Sequence, residues 1–125
     1  MQPLRNIAVI ACDQGLLSSL VFSLEVAGYH VLASEGWPDG GLAGENLVCT
    51  VVDASAYAHD PQLRQGLEAL DLPLVYLSDD FLPLPELPHL RSLVKPFQGP
   101  DLLALVERQM RPQPIAAPVS RPAVD

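Results

Sequence analysis

Short unbroken apolar runs alternate with amphipathic stretches along most of this chain. Residues 6–12, NIAVIAC, are the first such run. They are rich in β-branched side chains and lack period-two alternation, the pattern of a strand buried on both faces. Asp13 follows as a helix N-cap. Leu16, Leu17, Leu20, Val21 and Leu24 then recur at helical spacing, up to Gly28, which stands where a C′ glycine ends a helix. Residues 29–34, YHVLAS, and 47–52, LVCTVV, predict a second and a third strand, the third ending at Asp53. The segment between them, 35–46, holds four of the chain's eight glycines and supports at most a short, weak helix. Residues 60–70 read as a helix with Asp60 as N-cap and Pro61 at N1. LPLVYL at 72–77 is a fourth strand, followed by Ser78, and RSLV at 91–94 a fifth. Pro83, Pro85 and Pro88 disfavour a regular helix over 79–90. The last helix spans 99–110, with Pro100 near its start and Leu102, Leu103, Leu105 and Val106 as its apolar stripe.

Strands and helices in alternation, joined by short connections, predict an α/β domain with a doubly wound parallel sheet. All strands of such a sheet end at one edge, where ligands and catalytic groups gather. Asp13 follows the first strand, Asp53 the third and Ser78 the fourth. Lys95, the chain's one lysine, ends the fifth, and Pro96 stops that strand because proline has no N–H for a ladder. Four polar groups from distant positions therefore meet at one edge.

The bulk numbers narrow the setting. At 125 residues and 49% hydrophobic, the chain is long enough for one domain with one core. Residues 1–110 make the domain, and 111–125, with four prolines and little to bury, read as a linker or disordered tail. A net charge of −8 argues against nucleic-acid or anionic-membrane binding, which needs clustered Lys and Arg. Cys12 and Cys49 are too few for a disulfide scaffold and lack zinc spacing; both are expected as buried small hydrophobes, unpaired. His30, His59 and His89 are scattered and build neither a metal site nor a triad. No apolar run approaches the length of a membrane span or a signal h-region, so a soluble, cytoplasmic chain is expected.

Two carboxylates at neighbouring strand ends are hard oxygen donors that suit Mg²⁺. An ammonium can pair with a phosphoryl oxygen, a hydroxyl can donate to another, and a carboxylate can itself take the phosphoryl group. The order Asp13, Asp53, Ser78, Lys95-Pro96-Phe97 resembles the receiver domain of two-component response regulators over roughly residues 5–110. The resemblance implies a flavodoxin-like sheet of order 2-1-3-4-5, with Asp53 as phosphoacceptor, Ser78 sensing the phosphoryl group and Lys95 contacting it. It implies Mg²⁺ held by Asp13, Asp53 and the Ser55 backbone carbonyl, a sensor histidine kinase or phosphotransfer protein as donor, and an output domain or protein partner. It implies no enzyme beyond self-catalysed phosphorylation and dephosphorylation.

The departures from that family are specific. Cys12 stands where a first acid is usual, which weakens the metal site. Asp79 replaces the usual small residue after the Ser/Thr; it either repels an incoming phosphoryl group or stands in for the missing acid. Ser92 replaces the usual aromatic, and the helix between the fourth and fifth strands is degenerate. These suggest a second reading, a degenerate receiver acting as a phosphorylation-independent interaction module. A flavodoxin-like enzyme or nucleotide binder is disfavoured, because no GxGxxG or GxxxxGK[ST] is present. Taken singly, Asp13 is an N-cap, Asp53 a turn residue, Ser78 a strand end and Lys95 a snorkelling side chain. Trp37 and Tyr57 read as loop packing.

Overall fold

The computed structural model describes residues 5–42, 46–70, 72–79, 84–87 and 89–110. The elements run β1 (Asn6–Ile10), α1 (Gln14–Val26), β2 (His30–Ser34), β3 (Leu47–Asp53), α2 (Ala54–His59), α3 (Pro61–Ala69), β4 (Leu74–Ser78), β5 (Leu90–Val94) and α4 (Gly99–Met110). The five strands form one all-parallel sheet in the order β2-β1-β3-β4-β5. This is the doubly wound parallel sheet expected from the strand–helix alternation, in the strand order that the resemblance implies.

Period-two alternation splits the central strands between two cores. Ile7, Val9, Cys49, Val51, Val75 and Leu77 face Leu20 and Leu24 of α1 and Leu102 and Val106 of α4. Ala8, Ile10, Val52 and Leu74 face Ala56 of α2 and Leu63 and Leu67 of α3. Because both faces are covered, β1, β3 and β4 read as continuous apolar runs rather than alternating ones. At the edges this cover thins: Arg91, Ser92 and Val94 of β5 are exposed.

The helix ends follow the local chemistry. Asp13 Oδ1 accepts from the N–H groups of Gly15 and Leu16 at 2.8 and 3.3 Å, capping α1. At the other end Gly28 takes φ +103°. Its N–H donates to Glu25 and that of Tyr29 to Leu24, a Schellman closure that the left-handed glycine permits. Asp60 caps α3 through Gln62 and Leu63, with Pro61 at N1. At the start of α4, the Asp101 carboxylate accepts from the Gln98 N–H, one half of a capping box. The Gln109 side-chain amide near the end of α4 donates to the carbonyls of Leu74 and His89, tying that helix to the start of β4 and to the residue before β5.

The connection from β2 is a loop through Leu42, in line with its glycines; residues 43–45 lie outside the described set. The loop is held to α3 instead of forming a helix. Asp60 Oδ2 accepts from the Trp37 N–H at 2.8 Å, and the indole lies directly over Gly66, where any side chain would overlap the ring. Trp37 is thus loop packing, as expected, and Tyr57 packs edge-on against Tyr76 with centroids 5.7 Å apart. Of the stretch 79–90, residues 80–83 and 88 lie outside the described set, and 84–87 carry no helix. The tail 111–125 also lies outside it. Among the described residues, no helix is long and apolar enough to cross a membrane.

Candidate functional site

The carboxyl edge of the sheet is built by register. Asp53 ends β3 level with Leu77 of β4, and Ser78 pairs with Val94 of β5. The Lys95 N–H donates to the Ser78 carbonyl at 3.1 Å, which carries the ladder one residue further and sets Lys95 level with Asp79. The Lys95–Pro96 bond is cis. Strands lie about 4.8 Å apart, so β5 stands about 10 Å from β3 with β4 between them. A lysine stem and an aspartate side chain together span that gap. They do so here: the Lys95 ammonium pairs with Asp53 Oδ1 and also lies 3.5 Å from Asp79 Oδ2.

Burial grades this cluster. The Asp53 side chain is 2% exposed, that of Lys95 26% and that of Asp79 39%. Asp53 is the floor, the ammonium spans the middle and Asp79 stands at the rim. The Lys95 pKa is raised. Burial works against the charged form, but the hydrogen bond and charge of Asp53 and the charge of Asp79 outweigh it.

Asp53 also begins α2, a helix the sequence reading did not anticipate. Its Oδ2 accepts from the Ser55 N–H at 3.1 Å. Six residues are too few to show an apolar period, and the available signal was an Asp directly before an Ala-rich run. The Ser55 carbonyl is bonded to His59 Nδ1 at 2.8 Å, and the Cys12 thiol lies 3.6 Å from the Ser55 hydroxyl. Cys12 is therefore exposed at the site's edge, not buried as expected; it lies past the end of β1, where the apolar run has already left the sheet. Cys49 is buried in β3, and burial pushes its thiol up to about 12. Both thiols are free.

The structure thus brings Asp53, Lys95 and Asp79 into contact and sets Cys12 beside Ser55. Ser78 is buried at the end of β4 and is tied to Lys95 through its carbonyl. Asp13 lies in the exposed loop after β1, one of its oxygens engaged with the start of α1. Among the described residues, no three His, Cys, Asp or Glu side chains gather around one point. Asp13, Asp53 and the Ser55 carbonyl are hard oxygen donors, and the Cys12 thiol adds none. That set suits Mg²⁺ in the form that takes one or two carboxylates and completes its octahedron with water and phosphate oxygens, not a closed protein cage.

Solved structures share this fold. A response regulator receiver protein from Sinorhizobium medicae WSM419 superposes with a TM-score of 0.68 at 20% identity, over 86% of this chain and 94% of that one. A receiver domain protein from Bacillus halodurans gives 0.67 at 12% identity, over 89% and 100%. Full-length FixJ from B. japonicum gives 0.66 at 22%, over 87% of this chain and 59% of FixJ. No family model matches the sequence. The chain is, however, 31% identical to the transcriptional regulator protein FixT of Rhizobium meliloti, over 82% of its own length and 90% of that relative. It belongs to the response-regulator receiver family of two-component signalling.

Proposed function

We propose that this chain is a receiver whose phosphoacceptor is Asp53, charged by a sensor histidine kinase or a phosphotransfer protein in the cytoplasm. The observation that carries the reading is the ion pair from Lys95, across the width of β4, to a carboxylate buried at the end of β3. A solitary buried carboxylate is costly, and one held against a partly exposed ammonium at a strand end is poised to exchange that partner for a phosphoryl oxygen. In the transfer, an Asp53 oxygen forms the new bond to phosphorus. The bond from phosphorus to the donor breaks, and its electron pair leaves with the donor. Lys95 follows the added charge and neutralises part of it. The Ser55 N–H holds the second Asp53 oxygen in place, and Ser78 at the end of β4 senses the added group. Asp13, Asp53 and the Ser55 carbonyl would hold Mg²⁺, which would supply the remaining charge neutralisation.

On this reading the chain catalyses only its own phosphorylation and dephosphorylation. Residues 1–110 are the receiver and 111–125 a linker or tail. The test is incubation with acetyl phosphate and Mg²⁺ followed by intact-mass measurement. A gain of one phosphoryl group that is absent in Asp53→Asn is expected. Phosphorylation that persists in Asp53→Asn would overturn the assignment.

A further inference from the structure

Asp79 occupies a position that neither the acceptor role nor the fold requires. Its Oδ2 lies 3.5 Å from Lys95 Nζ, with Asp53 on the ammonium's other side. Asp53 is sealed in the floor, and Asp79, being 39% exposed, stands on the solvent side of the same lysine. Both carboxylates contact one ammonium, so a phosphoryl donor that reaches Asp53 comes within close range of the Asp79 charge. Three carboxylates, Asp13, Asp53 and Asp79, end strands at this edge or just past it, and Lys95 contacts two of them, Asp53 and Asp79. An acyl phosphate brings further negative charge to an edge that is already anionic.

We propose that Asp79 governs how readily Asp53 accepts a phosphoryl group, by competing with that group for the Lys95 ammonium. This deepens the acceptor reading and rests on it. Two effects act in the same direction. The Asp79 charge repels the incoming dianion, and its hold on Lys95 must be released before the ammonium can turn to a phosphoryl oxygen. Asp79 is a positioning residue: it acts through Lys95 and does not touch the reacting atoms. Its alternative role, standing in for the acid lost at Cys12, predicts the opposite sign on substitution.

The rate of Asp53 modification by acetyl phosphate is measured with Mg²⁺ at several salt concentrations. The chains compared are the wild type, Asp79→Ala, Asp79→Asn and Asp53→Asn. Asp79→Asn keeps the shape at the rim and removes the charge. Both Asp79 variants are expected to be modified about tenfold faster at low salt, the scale of one like charge within about 6 Å at a dielectric between protein surface and water. Added salt should raise the wild-type rate relative to both variants, because it screens a repulsion they lack. A purely structural role for Asp79 would not produce that salt dependence. Modification of the wild type with equal or slower modification of both variants would overturn this inference and leave the acceptor reading standing. No modification of any of the chains would overturn both.

Discussion

Replacing Lys95 by methionine keeps most of the aliphatic stem and deletes the charge, which isolates the ion pair at the site. The side chain left behind matters most. Asp53 is 2% exposed and would lose its cation, with no solvent to replace it. Exposed ion pairs are worth about 0.2–1 kcal/mol, whereas removing one partner of a fully buried pair costs about 3–5 kcal/mol. Lys95 is 26% exposed, so this pair lies between those limits; we take about 2–3 kcal/mol for Lys95→Met. For a domain of this size that corresponds to a fall in Tm of about 10 °C. Asp53→Asn should cost less, under about 1 kcal/mol, because the lysine it strands is partly solvated and keeps Asp79.

Denaturant unfolding of the two single variants and the double variant measures the coupling. The double variant should be more stable than Lys95→Met alone, since the stranded carboxylate is gone. The pH dependence has a definite sign. The folded pKa of Lys95 is raised from its ordinary 10.5. The stabilisation it brings is therefore complete below that value and is lost as pH rises through the folded pKa. The stability gap between wild type and Lys95→Met should narrow above pH 10.5 and stay flat through neutrality. A double variant no more stable than Lys95→Met, or a gap that closes near neutral pH, would refute the reasoning.

Two further outcomes test other parts of the structure. Gly66→Ala should destabilise the protein by about 1–3 kcal/mol by displacing the Trp37 indole, although alanine is the better helix former; in a Trp37→Ala background the same change should stabilise it, and Trp37 emission reports the displacement. A thiol reagent should modify Cys12 rapidly in the native protein. Cys49, buried and with its thiol pushed up to about 12, should react only on unfolding.

Much of this protein was legible in one dimension. Continuous apolar strands, the N-cap aspartates Asp13 and Asp60 and the C′ glycine Gly28 are local signals, and their physics acts within a few residues of chain. The alternation of strand and helix then leaves few ways to cover both faces of a sheet, which is why the parallel architecture followed. Even the sidedness of Asp79 was available. It continues the parity of Val75 and Leu77, as Asp53 continues that of Cys49 and Val51 and Lys95 that of Leu93, so all three fall toward one face. Ser78 has the opposite parity.

What sequence could not decide was contact. Whether Asp79 stands in for a missing acid or competes for the lysine depends on a register that sets Lys95 level with Asp79 and lets its stem reach back over β4 to Asp53. Placing the Cys12 thiol beside Ser55, starting α2 directly at Asp53 and seating Trp37 on Gly66 likewise join positions far apart in the chain or too short in span to show a period. Patterning reports which side of an element is buried. Only the packed sheet determines which of the groups left at its edge lie within reach of one another.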